Sequence, residues 1–199
     1  MAEIPYSRWS PLRSAPNLLT LLRICLAPFL VTAILEDRYA LALGLFIAAG
    51  LTDALDGAAA RLLRQRTMLG QYLDPVADKL LLSTLFLVLT HKNLIPARVT
   101  VLVFGRDLGI LVVAAILYAA AGRREFGPSL LGKANTTVQI LAVAAVLLHQ
   151  LTTAPGIADL RWLALNATML LTVLSGLQYS WTAARRVAPQ PNGIHPPKG

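Results

Sequence analysis

Residues 51–80 read LTDALDGAAARLLRQRTMLGQYLDPVADKL, and this stretch decides the fold. It carries the end of one apolar run, Tyr39–Leu63, across a short break at Arg64, Gln65 and Arg66 into the next, Asp74–Thr90. About 20 apolar residues cross a bilayer as an α-helix. Working outward, four more runs of that kind follow: Asn17–Leu35, Ala97–Ala121, Lys133–Leu151 and Leu160–Ala184. The breaks carry polar or helix-breaking residues: Glu36, Asp37 and Arg38; Asn93 and Pro96; Gly122 to Pro128; Pro155 and Gly156. The expected fold is all-α, a polytopic membrane protein with six transmembrane helices.

Composition agrees. Hydrophobic residues make up 56% of the 199 and charged residues 14%, where a soluble domain carries about 25% charged. Mean hydropathy is +0.61. No cleavable signal peptide is read, because the first apolar run is long and is followed by others. The single cysteine, Cys25, lies inside that run and cannot form an internal disulfide. The net charge of +8 comes without a basic stripe interleaved with aromatics, so no nucleic-acid partner is expected.

Lys and Arg outside the runs set the orientation. One side holds Arg8, Arg13, Arg64, Arg66, Arg123, Arg124, Lys133, Arg185, Arg186 and Lys198, the other only Arg38, Lys92, Arg98 and Arg161. Both termini are therefore expected in the cytoplasm, the protein residing in the cell (inner) membrane. Residues 1–16, with Tyr6, Arg8, Trp9 and Arg13, suit a short interfacial segment. The membrane domain covers 17–186. Residues 187–199, with four prolines, are read as a disordered tail.

Four aspartates carry the chemistry. Asp53 and Asp56 are three apart and share a helix face; Asp74 and Asp78 are four apart and share a face of the next helix. A short loop joins the two helices, so the pairs can meet across a small gap. One Asp in mid-membrane costs roughly 2.5–3.5 kcal/mol. Two carboxylates about 5 Å apart at an effective dielectric of about 20 repel by about 3 kcal/mol. Such a cluster needs protons or cations. Arg61 supplies one positive charge. An all-carboxylate set without His or Cys suits Mg2+ or Mn2+ and not zinc. Scattered helix-end acids, or an ion relay in a membrane cation transporter, are the competing readings. Gly57 and Ala60 leave a groove beside the carboxylates, for a ligand or for a neighbouring helix.

Written out, the run is Asp53-x2-Asp56-Gly57-x2-Ala60-Arg61-x8-Gly70-x3-Asp74-x3-Asp78. It resembles the signature of the CDP-alcohol phosphotransferase (CDP-alcohol phosphatidyltransferase class I) family at every defining position. Pro16-Asn17-x-Leu19-Thr20-x2-Arg23 and Leu73-Asp74-Pro75-Val76-Ala77-Asp78-Lys79 resemble its phosphatidylglycerophosphate synthase and CMP-forming cardiolipin synthase branches. The resemblance covers about Pro16–Arg186. It implies a six-helix homodimer that transfers a phosphatidyl group from CDP-diacylglycerol to an alcohol and releases CMP. It also implies two Mg2+ or Mn2+ ions on Asp53, Asp56, Asp74 and Asp78, with Asp78 also the catalytic base. Gly57, Ala60, Arg61 and Gly70 would line the nucleotide site. Two metals clamping the attacking and leaving oxygens fit such a displacement.

The second half holds further polar residues in its apolar runs: Arg106, Asp107, Lys133, Asn135, Thr136, Thr137 and Gln139. Arg106 and Lys133 are expected to bind an anionic acceptor; the alternatives are a local ion pair for Arg106 and a snorkelling helix-end lysine for Lys133. Glycerol 3-phosphate, giving phosphatidylglycerophosphate, is taken first and phosphatidylglycerol, giving cardiolipin, second. Arg106-Asp107 stands where the first branch usually has Arg-Glu, and Asn135 leans towards the second. Membrane prenyltransferases also use two aspartate motifs, but need more helices and place the motifs far apart.

Overall fold

The computed structural model describes the backbone of residues 15–63, 68–121 and 130–187, and the side chains over 25–52, 79–112 and 130–182. Within these residues the chain is all-helical, with six helices: α1 Ala15–Leu35, α2 Tyr39–Leu63, α3 Met68–His91, α4 Ala97–Ala121, α5 Leu130–His149 and α6 Pro155–Val187. The expected run Lys133–Leu151 passes the end of α5 by two residues; each of the others lies within one helix. The expected tail falls outside the described residues except for Val187, which closes α6, as does the interfacial segment except for its last two positions, Ala15 and Pro16, which open α1.

Several helices run past the apolar runs, because a helix need not end where its apolar run does. α3 begins six residues before Asp74. α6 starts at Pro155, a residue expected to break the chain, because proline at the first helical position loses a donor that would be unpaired there anyway. Pro28 lies inside α1, where it removes one backbone hydrogen bond.

Two of the turns end in the same way. Arg38 N donates to Ala33 O at 2.8 Å and Asp37 N to Ile34 O at 3.1 Å; Leu94 N donates to Leu89 O at 2.8 Å and Asn93 N to Thr90 O at 2.9 Å. These are Schellman caps on α1 and α3, with Asp37 at φ 60° and Asn93 at φ 58° in the left-handed position. Lys92 Nζ then reaches Asp37 Oδ1 at 2.6 Å and Leu35 O at 3.3 Å. Arg161 donates to Leu94 O at 2.7 Å. The α1–α2, α3–α4 and α5–α6 turns thus sit together at one end of the bundle. The Lys92 ammonium, then the Tyr39 hydroxyl, hold the exposed Asp37 carboxyl below its ordinary range.

α5 and α6 pack most extensively, then α1 on α2, α4 on α6 and α1 on α3. α2 and α3 each lean on α1 and α5 more than on each other. Near the turn end the core is apolar: Leu30, Ile34, Phe46, Leu85, Phe86, Leu89, Ile95, Val99, Val143, Val146 and Leu147 are all buried. Towards the opposite end the same faces become polar. On α5 the buried line runs from Val146 and Ala142 back to Gln139 and Asn135. On α6 it runs from Ala164 and Leu165 to Thr168, Thr172 and Ser175.

Outward faces are apolar. Leu108, Leu111, Leu163, Leu170 and Leu177 are exposed, as are Trp162 and Trp181. Among the described residues, Leu130–His149 and Pro155–Thr182 are long and apolar enough to cross a membrane.

Candidate functional site

Of the sequence-predicted site residues, Arg106 and Lys133 have described side chains, and Arg106 lies in the polar half of the core. On α2 the buried residues Ala42, Phe46 and Ala49 are spaced four and three apart. Continuing that spacing at 3.6 residues per turn puts positions 53, 56 and 60 on the same face. On α3 the buried line Leu89, Leu85 and Leu82 extends back to position 78, with 74 at its flank. Asp53 and Asp78 each lie roughly 15 Å from the α2–α3 connection, and Asp56 and Asp74 roughly 10 Å. The four aspartates therefore occupy matched levels on the two helices. Their side chains, and those of Gly57, Ala60, Arg61 and Gly70, lie outside the described residues.

Lys79, the residue after Asp78, is described. Its Nζ sits 3.1 Å from Asp107 Oδ1. The same oxygen takes Arg106 NH1 at 2.6 Å. Arg106 also donates through NH2 and Nε to Ser175 Oγ at 2.8 and 3.2 Å, and its guanidinium carbon lies 5.6 Å from the centre of the Tyr179 ring. The Arg106 side chain is only 8% exposed, so these contacts give a buried cation the partners it needs. Three of its five N–H donors are engaged. One carboxylate, Asp107, thus ties α3 to α4, and Arg106 ties α4 to α6.

Beside this network lies a cavity of about 30 Å3 lined by Lys79, Ser83, Asp107, Thr136 and Gln139, with Leu82 and Val103. By that measure it holds about two waters. Thr172 donates to Asn135 Oδ1 at 3.1 Å. Asn135 Nδ2 and Gln139 Nε2 are buried with no hydrogen-bond partner among the described residues. Lys133 is exposed near the start of α5 and is not among the residues lining the cavity. The structure therefore joins Arg106 to Asp107, Ser175 and Tyr179, and through Asp107 to Lys79.

The local ion pair offered as the alternative for Arg106 is present, with Asp107; sequence reasoning gave no role to Lys79, Gln139, Ser175 or Tyr179. For Ser175 and Tyr179 a faint signal existed, since polar residues four apart share one helix face. Among the described residues no three His, Cys, Asp or Glu come together. By donor chemistry, the four aspartates on their matched levels fit a hard divalent cation.

A family model, CDP-alcohol phosphatidyltransferase, matches residues 13–174. The chain belongs to the CDP-alcohol phosphatidyltransferase family. It is 37% identical over 173 residues to human cardiolipin synthase (CMP-forming), covering 73% of this chain and 57% of that one. It is 35% identical over 189 residues to the CDP-diacylglycerol–glycerol-3-phosphate 3-phosphatidyltransferase of Bacillus subtilis (strain 168), covering 85% of this chain and 96% of that one. The enzyme of that name from Aquifex aeolicus (strain VF5) is 35% identical over 139 residues, 67% of this chain and 75% of its own. The chain thus spans little more than half the length of the human and rat cardiolipin synthases it matches, but nearly all of the Bacillus enzyme.

Proposed function

We propose that this protein is an integral membrane enzyme that transfers a phosphatidyl group from CDP-diacylglycerol to glycerol 3-phosphate, releasing CMP and forming phosphatidylglycerophosphate. The observation that carries it is the alignment along nearly the whole Bacillus glycerol-3-phosphate phosphatidyltransferase, on a chain whose four aspartates stand at matched levels on α2 and α3. A second reading, phosphatidylglycerol as acceptor and cardiolipin as product, is favoured by the 37% identity to human cardiolipin synthase.

All six helices cross the bilayer in this reading, with both termini in the cytoplasm and the chain working as a homodimer in the inner membrane. Support comes from α6. Exposed Trp162 and Trp181 stand roughly 28 Å apart along the helix, near the hydrocarbon thickness of about 30 Å, and tryptophan favours both interfaces.

Asp53, Asp56, Asp74 and Asp78 would hold two Mg2+ or Mn2+ ions. When bound, such ions neutralise the donor diphosphate and stabilise charge on the departing CMP oxygen. Gly57, Ala60, Arg61 and Gly70 bind the cytidine nucleotide. Asp78 takes the proton of the acceptor hydroxyl. The resulting oxygen bonds to the lipid-side phosphorus as the bond from that phosphorus to the CMP oxygen breaks. Arg106 and Lys133 hold the acceptor's phosphate; Asp107 and Ser175 fix the guanidinium plane, leaving two N–H donors for it.

The test offers purified protein CDP-diacylglycerol with glycerol 3-phosphate, phosphatidylglycerol, inositol phosphate or serine separately, with Mg2+, Mn2+ or excess EDTA. CMP and phosphatidylglycerophosphate formed only with metal is the expected result. Cardiolipin as the sole lipid product selects the second reading. Cation flux in proteoliposomes without CMP release would reject both in favour of a transporter.

A further inference from the structure

We infer that Gln139 is a specificity-determining residue that donates a hydrogen bond to the hydroxyl neighbouring the one that attacks. The inference rests on the phosphatidyl-transfer reading above. Gln139 is 4% exposed, and its Nε2 has no partner among the described residues. A native interior seldom leaves an amide donor unpaired.

The surroundings say what it awaits. In the shared cavity Asp107 already accepts from Lys79 and Arg106, and Thr136 Oγ1 donates to Gly132 O at 3.2 Å. Gln139 Nε2 is left as a buried donor without a partner among the described residues, and it selects a lone pair. At about 30 Å3 the space is on the scale of one or two waters. A hydroxyl, or the water it displaces, fits.

Position then connects the cavity to the reaction. Leu82 lines it, and position 78, that of the proposed base, stands one turn before Leu82 on the same face of α3. An alcohol oxygen at Asp78 would carry its neighbouring carbon's substituent towards Gln139. Glycerol 3-phosphate and the headgroup of phosphatidylglycerol share that substituent, a hydroxyl on the carbon beside the attacking one. Gln139 thus explains selection of a vicinal diol, whichever of the two sources supplies it.

The experiment compares each acceptor with its deoxy counterpart: glycerol 3-phosphate against 3-hydroxypropyl phosphate, and phosphatidylglycerol against phosphatidylpropane-1,3-diol. CMP release is measured for the full-length wild type, Gln139→Leu and Gln139→Met, all checked for folding by thermal unfolding in detergent. Wild type should prefer the diol by roughly tenfold in kcat/KM. Both variants should use diol and deoxy compound about equally, with the KM for CDP-diacylglycerol unchanged. The pair that shows this collapse identifies the source.

A preference retained in folded variants would overturn the inference and leave Gln139 hydrogen-bonded to water alone. So would a wild type indifferent to the missing hydroxyl. Folded variants that release no CMP with either compound would also overturn it, placing Gln139 in the donor site. A wild type that releases no CMP from CDP-diacylglycerol with any acceptor would instead sink the transferase reading itself.

Discussion

Asp78 and Asp107 stand on adjoining helices and carry their charge for different reasons. Asp107 has two cations on one oxygen, so its role is to balance Lys79 and Arg106 within the core. Asp78 is proposed to take the acceptor's proton. Asp78→Asn keeps the size and one oxygen but cannot accept that proton. Turnover should fall by at least about a hundredfold, while CDP-diacylglycerol still binds in equilibrium dialysis; near-normal turnover would remove Asp78 as the base. Arg106 and Lys133 separate by environment. Arg106→Lys loses the planar contact with Ser175 and Asp107, so it should lower thermal stability as well as raise the acceptor KM. Exposed Lys133 has no such duty, and Lys133→Ala should raise the acceptor KM roughly ten- to a hundredfold at unchanged melting temperature and unchanged donor KM. Intact kinetics in Lys133→Ala would make it an interfacial anchor.

The helices were legible in the sequence because long apolar runs leave the chain few alternatives. Their ends were less so. Pro155 reads equally as a breaker and as a first helical residue, and only the register of α6 decides. Asn93 marked a turn, but its left-handed φ of 58° could not be read. That geometry yields a test. Asn93→Gly should leave stability unchanged or slightly raise it, whereas Asn93→Ala should cost about 1 kcal/mol in thermal unfolding in detergent. Equal effects of the two would show that the cap is not formed. In the candidate site, the aspartate pairs were legible because charge in an apolar helix is costly and their spacing fixes a face. Asp107's bridge to Lys79 and Arg106's contact with Ser175 were not, because each joins helices whose pairing no local spacing reveals. Gln139 was invisible for the same reason: an amide in an apolar run declares itself only when its burial and missing partner are seen.

Across the whole molecule, polarity is graded from one end of the bundle to the other. The end with the three short turns has an apolar core and is laced by Lys92 and Arg161. The other half of the core carries Arg106, Asp107, Asn135, Gln139, Thr172 and Ser175, together with the backbone positions of the four aspartates. Glycerol 3-phosphate must enter and CMP must leave at the polar end, and in the proposed orientation that end faces the cytoplasm. The turn end should then face away from it. Cys25 is the only cysteine, so a Cys25→Ser background permits single labels at chosen depths. Asn93→Cys and Thr153→Cys lie in turns at the closed end, and Gly199→Cys marks the C-terminus. A membrane-impermeant maleimide added to intact cells should label the first two and spare the third. Opening the cells should expose the third. Labelling of Gly199→Cys in intact cells, with Asn93→Cys protected, would invert the orientation and place the aspartates on the side where CDP-diacylglycerol is not made available. Labelling of Asn93→Cys but not Thr153→Cys would break the six-span count, because both turns must emerge on the same side if α4 and α5 each cross once.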